Sequence, residues 1–274
     1  MPEDIHARPI GIFDSGVGGL TLFKSIRNLL PNERLLYFGD TARLPYGTKS
    51  PNAVRRFSLQ IARFLERFRI KALVVACHTA SSTALVDLKI AMKIPVVGVI
   101  EPTVKKAIQV TRNKNIGVIG TKTTIASNSF QSHLKKASPS VFVTAIPAPL
   151  LVPLVEEGWV DRELTRMILK EYLSIFKKRE IDTLILGCTH YPLLKTLFQE
   201  ELSDSVHLVE PSIETASYLR ELLRRNSLLN REKENHESRF YVTDDPDNFS
   251  QLARLFLGQK LKEPVLVHLE GEEQ

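Results

Sequence analysis

Three short sequence motifs recur in the same order about 110 residues apart, and this repetition limits the possible fold more than any other feature. "IGIFDSGVGG" from Ile10 resembles "IGVIGTKTTI" from Ile116. "ALVVAC" ending at Cys77 resembles "TLILGC" ending at Cys188, and "VIEP" resembles "LVEP". The three offsets are 106, 111 and 109 residues. Ordered matches at a nearly constant interval indicate two similar halves.

Each half is predicted to be an α/β unit with a mainly parallel sheet, because short Val, Ile and Leu runs alternate with segments of helical period. The clearest helix begins after Ser50, which can cap it, and has Pro51 in its first turn. Its apolar positions share one face: Val54, Phe57, Ile61, Phe64, Leu65 and Phe68. A second helix is predicted around residues 164–176. We expect two similar α/β domains related by a pseudo-two-fold axis.

The repeated Glu-Pro turns set the expected domain boundaries. Residues 1–100 together with 213–274 would form the first α/β domain, and residues 101–212 the second. The segment after the second turn has no counterpart in the repeat. Its helix "SIETASYLRELL" and strand "SRFYVTDD" are expected to return to the first domain, which would then be discontinuous.

Composition narrows the class of protein. A chain of 274 residues with 43% hydrophobic content can build proper cores. Neither a signal peptide nor a membrane span is visible, so we expect a cytoplasmic protein that does not bind a membrane. The net charge of +6 is spread among interspersed charges, which argues against a nucleic-acid partner and fits a small anionic substrate. The sequence is also compatible with a homodimer.

The two cysteines of the chain each end a predicted buried strand. In open α/β sheets, ligands bind outside the carboxyl ends of the strands. If the two halves face each other across an interdomain cleft, Cys77 and Cys188 would approach one ligand from opposite sides. Two acid/base groups on opposite faces of one atom suit the inversion of a stereocentre that carries an acidic C–H bond. A thiol serves this purpose because its pKa is about 8.5.

Neighbouring residues could shift the pKa of these thiols, although each of those residues could instead have a purely structural role. Asp14 and Ser15 follow the first strand, and His190 lies two residues after Cys188. Asp14 could instead be an ordinary turn residue, His190 a hydrogen-bonded structural imidazole, and Cys77 the last buried residue of its strand. A phosphate-binding loop is disfavoured because the third required glycine is replaced, and adjacent Cys-His does not have zinc-ligand spacing.

The chain resembles the glutamate racemases of the aspartate/glutamate racemase superfamily. The matching motifs run nearly end to end: "IGIFDSGVGGLTL", "YFGDTARLPYG", "LVVACHTASS", "VPLVEEG", "LILGCTHYPLL" and "YVTDDPDNF". The resemblance implies cofactor-independent interconversion of L- and D-glutamate for bacterial peptidoglycan, without a metal. It implies Cys77 and Cys188 as the catalytic thiols, assisted by Asp14 and His190. The substrate contacts that it implies are Asp14, Ser15, Tyr46, Gly47, His78, Thr79, Thr189 and His190.

One departure from the family pattern concerns the residue after the first cysteine, which is His78 rather than the usual asparagine. This change leaves open the choice between glutamate and a related substrate such as aspartate. The sequence also does not choose between Glu156 and Glu157 as support for the second half-site. Two other functions stay open: a thiol amidase that uses Cys188 and His190, and an amino-acid-binding regulator without turnover. The second, equivalent thiol favours the racemase.

Overall fold

The computed structural model describes residues 4–230 and 237–269, which form two parallel sheets with helices packed around them. The first sheet has the strand order β10-β9-β2-β1-β3-β4. Its strands are β1 (Ile10–Asp14), β2 (Leu35–Gly39), β3 (Ala72–Val75), β4 (Val96–Gly98), β9 (Arg239–Val242) and β10 (Val265–Leu266). The second sheet has the order β6-β5-β7-β8. Its strands are β5 (Asn115–Gly120), β6 (Phe142–Pro147), β7 (Thr183–Gly187) and β8 (His207–Val209).

The strand order confirms the predicted α/β class and explains the sequence repeat. The core order β2-β1-β3-β4 of the first sheet has the same connectivity as β6-β5-β7-β8 of the second. The register agrees as well, because Ile10 pairs with Ala72 and Ile116 pairs with Thr183. The first two repeated motifs therefore occupy the same places in their own sheets.

Twelve helices accompany the strands in the described part of the chain. They are α1 (Leu20–Leu29), α2 (Pro51–Glu66), α3 (His78–Thr83), α4 (Leu85–Ala91), α5 (Ile100–Val110), α6 (Lys122–Ala126), α7 (Ser129–Ala137), α8 (Leu151–Glu156), α9 (Glu163–Lys177), α10 (Lys195–Glu201), α11 (Pro211–Arg225) and α12 (Pro246–Leu257). None of these helices combines the length and the apolar character that crossing a bilayer requires.

The predicted helix after Ser50 is present as α2. The Ser50 hydroxyl accepts a hydrogen bond from the Ala53 backbone N–H, which satisfies one of the free donors at the helix start. The helix ends at Glu66, so Phe68 lies beyond it rather than on its last turn. Phe68 still packs in the same core, because its ring lies 5.2 Å from that of Tyr241.

The C-terminal segment returns to the first sheet. Strand β9 pairs in parallel with β2, and β10 pairs with β9. A buried ion pair between Lys71 and Glu33 fixes the opposite end of this sheet, at the strand starts. Glu33 also accepts a hydrogen bond at 2.9 Å from the backbone of Asn230, in the segment after α11. The first sheet thus combines strands from both ends of the chain.

Candidate active site

The carboxyl ends of four strands meet at one cavity between the two sheets. Ser15 and Cys77 follow β1 and β3 of the first sheet, whereas Thr121 and Cys188 follow β5 and β7 of the second. The cavity has a volume of about 30 Å³. It is lined by Ser15, Gly16, Leu44, Pro45, Tyr46, Gly47, Cys77, His78, Thr79, Thr121, Val152, Glu156, Cys188, Thr189 and His190.

Cys77 is a buried free thiol between β3 and α3. Its Sγ atom lies 3.7 Å from Oγ of Ser15. Burial, with a smaller contribution from the Asp14 carboxylate, raises the pKa of the Cys77 thiol to about 12, although the hydrogen bond with Ser15 acts in the opposite direction. Cys77 is therefore protonated at neutral pH and can donate a proton.

Cys188 has a different environment, because a histidine lies beside its sulfur and a carboxylate contacts that histidine. Nδ1 of His190 lies 3.8 Å from Cys188 Sγ, and Nε2 of the same ring lies 3.0 Å from Oε1 of Glu156. Burial alone would lower the pKa of His190, but the hydrogen bonds with Cys188 and Glu156 raise it to about 10. His190 is then a cation at neutral pH, and its positive charge lies beside the Cys188 sulfur.

The imidazole of His190 is also enclosed by the first half of the molecule. The ring of Phe256, on α12, meets it edge-on with the ring centroids 5.7 Å apart. Helix α12 itself packs against α1 of the first half. The surroundings of the second thiol are therefore completed by α12.

Asp14 lies at the end of β1 and is fully buried, but it is not one of the cavity-lining residues. One of its carboxylate oxygens accepts a hydrogen bond from the Gly16 backbone at 3.1 Å, and the other accepts one from Thr189 Oγ1 at 3.4 Å. Burial raises the pKa of Asp14, while the nearby charge of His190 opposes part of that rise. Through Thr189, Asp14 connects the two halves beside the cavity.

His78 and Thr79 open α3, and their side chains are held in different ways. Thr79 Oγ1 lies 3.0 Å from the hydroxyl oxygen of Thr121 and 3.2 Å from that of Thr124, which joins α3 to α6 of the second half. His78 is 3% exposed, and neither of its ring nitrogens has a hydrogen-bond partner among the described residues. Burial lowers the pKa of His78 to about 3, so the ring is neutral.

Asp40, a residue that the sequence analysis did not single out, holds the side chain of Tyr46, which lines the cavity together with Cys77. It is fully buried directly after β2 and accepts a hydrogen bond from the Tyr46 hydroxyl. The same carboxylate accepts from Arg43 Nε at 2.8 Å and from Thr243 Oγ1 at 2.9 Å. A carboxylate with three donors is well satisfied inside a protein, so this cluster is a stable support for the cavity wall.

Two glycines allow the halves to approach each other closely on either side of the cavity. A Cβ atom on Gly47 would lie 2.7 Å from Cβ of Thr121. A Cβ atom on Gly18 would overlap the side chains of Thr189 and His190. Only a residue without a side chain fits at these two contacts.

The structure brings the predicted site residues together with the exception of Asp14, which lies beside the cavity rather than in its wall. It also distinguishes the two glutamates, because Glu156 contacts His190 and lines the cavity, whereas Glu157 does neither. Thr121 was missed, although the repeat held a signal for it: at an offset of 106 residues, it is the counterpart of Ser15. No comparable signal marked Asp40.

Chemically, the cavity offers two thiols on equivalent strands of two sheets, one with a cation beside it and one without. Such a pair can remove a proton from one side of a small ligand and supply a proton from the other. The hydroxyl groups of Ser15, Tyr46, Thr79 and Thr189 surround the thiols and can bind the polar groups of that ligand.

Comparison with known proteins agrees with this arrangement. A profile of the Asp/Glu/Hydantoin racemase family matches residues 10–219. A glutamate racemase of Geobacter metallireducens is 49% identical over 267 residues, which cover 97% of this chain and 99% of that relative. The crystal structure of glutamate racemase isoform RacE1 from Bacillus anthracis has a TM-score of 0.92 and 39% identity, covering 95% of this chain and 97% of its own.

A second solved structure is similar over an equal extent. The glutamate racemase of Francisella tularensis, crystallised in complex with D-glutamate, gives a TM-score of 0.91 at 42% identity and covers 97% of this chain and 99% of its own. Identity at this level over nearly the full length, together with the match to the family profile, establishes the relationship. The chain belongs to the Asp/Glu/Hydantoin racemase family and, within it, to the glutamate racemases.

Proposed function

We propose that this chain interconverts L-glutamate and D-glutamate without a cofactor, by proton transfer between the substrate Cα and the two thiols Cys77 and Cys188. The observation that carries the proposal is the placement of two free thiols after equivalent strands of two sheets, in the wall of one cavity. The D-glutamate complex of the Francisella tularensis relative supports glutamate as the substrate.

The proton balance of the reaction follows from the two environments. In one direction, the Cys188 thiolate takes the Cα proton from one face, so that a C–H bond breaks and an S–H bond forms. The Cys77 thiol then gives its proton to the opposite face of the carbanion. The enzyme is left with a Cys188 thiol and a Cys77 thiolate, which are the forms that the other enantiomer requires.

The neighbouring residues have distinct roles in this scheme. His190, a cation through its hydrogen bonds with Cys188 and Glu156, places a positive charge beside the Cys188 sulfur. Asp14 contributes to the high pKa of Cys77, which keeps that thiol protonated until it donates. Asp14, beside the cavity, contributes to binding the amino and carboxylate groups of the substrate. The other contacts come from the cavity wall: Ser15, Tyr46, Gly47, His78, Thr79, Thr189 and His190.

A thiol amidase is the strongest alternative, because Cys188, His190 and Glu156 are connected as a nucleophile, a base and an orienting carboxylate would be. Hydrolysis by that group needs one thiol only. It offers no reason for Cys77 to occupy the equivalent position on the other side of the cavity.

The test is the optical activity of pure L-glutamate and pure D-glutamate, each followed by circular dichroism with the purified protein. Decay of both signals to zero, with no ammonia released, supports the racemase. Ammonia release from amide substrates without loss of optical activity would instead favour the amidase. L-aspartate, measured in the same way, tests the related substrate.

The proposal includes the organisation of the chain. Residues 1–100 with 213–274 form the first domain and residues 101–212 the second, supported by the pairing of β9 with β2. The reaction takes place in the cytoplasm and supplies D-glutamate for peptidoglycan. A homodimer belongs to the same proposal and is tested by sedimentation velocity.

A further inference from the structure

In the described part of the chain, one of the two histidines that follow the catalytic thiols in sequence is hydrogen-bonded to a carboxylate, and the other is not. His190 lies two residues after Cys188 and contacts Glu156 at 3.0 Å. His78 directly follows Cys77, and among residues 4–230 and 237–269 neither of its ring nitrogens has a hydrogen-bond partner. Both histidines line the same cavity. The first half of the site therefore lacks the carboxylate that the second half contains.

The orientation of His78 is set without use of its nitrogens. Its ring stacks on that of Phe130, a fully buried residue of α7, with the centroids 6.1 Å apart and the planes at 28°. A stacked neighbour contacts the face of an imidazole, whereas both nitrogens lie at the edge. Phe130 thus fixes the plane of the ring and leaves the donor and the acceptor of His78 available.

In the part of the chain that the structure describes, no charged group accounts for the protonation state of His78. The titratable groups that line its cavity are Tyr46, Cys77, Glu156, Cys188 and His190. Thr121, the residue before α6, lines the cavity, and Phe130 of α7 packs on His78; neither side chain titrates. Burial alone lowers the pKa of His78 to about 3.

A dicarboxylate ligand in the cavity changes the surroundings that decide whether His78 is protonated. Among the described residues, Glu156 is the one carboxylate in the cavity wall, and it is already bonded to His190. A substrate with two carboxylates can supply one. In the second half, against the effect of burial, the hydrogen bond with Cys188 and the contact with the Glu156 carboxylate at 3.0 Å together raise the pKa of the imidazole. A carboxylate favours the charged form of a buried imidazole that donates to it.

We propose that His78 takes up a proton from solvent when the dicarboxylate substrate binds, because a substrate carboxylate then pairs with His78 as Glu156 pairs with His190. This inference rests on the proposed function, since it assumes that the substrate is an acidic amino acid. The ring of His78, in the wall of the cavity that Cys77 also lines, becomes a cation only in the occupied site.

The experiment uses glutarate, which has the carbon skeleton and both carboxylates of glutamate but no stereocentre to invert. Its binding is measured by isothermal titration calorimetry in phosphate and in Tris, two buffers with different enthalpies of ionisation. The intact protein and the His78→Asn variant are compared between pH 6 and 8. All other titratable groups are common to both proteins, so the difference in proton uptake reports on His78.

On binding glutarate, the intact protein is expected to take up about one proton more per site than His78→Asn. For each unit by which the pH rises, its affinity for glutarate should therefore fall by a factor about ten times larger than that of His78→Asn. Equal proton uptake in the two proteins would overturn the proposal. The His78→Gln variant is measured as well, so that poor folding of one variant does not decide the result. Racemisation of glutamate by the intact protein is assayed separately. If glutarate binding shows the proton difference but glutamate is not racemised, the proposed function fails and this inference stands.

Discussion

Oε1 of Glu156 lies 3.0 Å from Nε2 of His190, on the side of the imidazole opposite to the one that faces Cys188. The carboxylate and the thiol are thus connected through one ring, and the pKa of His190 is raised to about 10 by both contacts against the effect of burial. Loss of the carboxylate should therefore change the behaviour of a thiol that it does not touch.

The Glu156→Gln variant is expected to lower kcat for racemisation by about 100-fold in both directions, because the neutral amide no longer holds His190 as a cation. Initial rates from L- and D-glutamate, followed by circular dichroism, measure this effect. Glu157→Gln is the matched control and should keep its rate, since Glu157 lies outside the cavity. Equal losses in the two variants would show that the His190 contact is not the cause.

The pH dependence follows from the same contact. A group with a raised pKa keeps its proton at neutral pH and loses it as the pH rises through that value. Activity that depends on cationic His190 is therefore expected to be constant near pH 8 and to fall as the pH passes about 10. In Glu156→Gln, the fall should move to lower pH. Profiles of kcat/KM between pH 7 and 11 test this, and coincident profiles would contradict it.

Single substitution of either thiol should stop full racemisation, because every turnover uses both groups. Cys77→Ser and Cys188→Ser are each expected to lose more than about 1,000-fold in kcat, since a serine hydroxyl is a far weaker acid than a thiol and does not ionise near neutral pH to act as the base. Elimination from a β-chloro amino acid needs deprotonation only, so each variant should still process one enantiomer of that compound. If Cys77→Ser kept most of its racemase activity, a one-thiol mechanism would replace the proposed one.

The buried ion pair at the starts of the strands makes a prediction about stability. Lys71 and Glu33 are both nearly inaccessible to solvent, and Lys71 also donates to the His6 carbonyl at 2.6 Å. The Lys71→Met variant leaves the carboxylate of Glu33 buried without its cation, which should cost about 3–5 kcal/mol of unfolding free energy. Urea denaturation measures the loss. Lys93→Met, at an exposed position, is the control and should remain within about 0.5 kcal/mol of the parent.

Much of the fold could be predicted from the sequence, because its determinants are local. Buried parallel strands have continuous apolar runs, and the two equivalent sheets repeat those runs at a nearly constant interval. The Ser50-Pro51 start of α2 is a local signal of the same kind. The end of α2 was harder to predict, since Phe68 continues the apolar spacing but packs against Tyr241, a distant residue of β9.

The parts of the site that could not be predicted depend on contacts between distant segments. Glu156 and Glu157 are neighbours in sequence, and only the packing of α8 beside the cavity decides which of them meets His190. Asp40 owes its role to Tyr46 and to Thr243, a residue more than 200 positions away. That neither ring nitrogen of His78 has a hydrogen-bond partner among the described residues could not be predicted either, because it depends on which residues pack around the ring.

The edge-on contact between Phe256 and His190 decides at which point of translation the environment of His190 can be completed. Both thiols leave the ribosome well before α12 is made. A nascent chain that ends before residue 246 contains every acid/base group of the site, yet it lacks the aromatic ring that encloses the second of them. The catalytic environment is therefore complete only once α12 has been made, and a product truncated just before α12 carries the reactive groups without their enclosure.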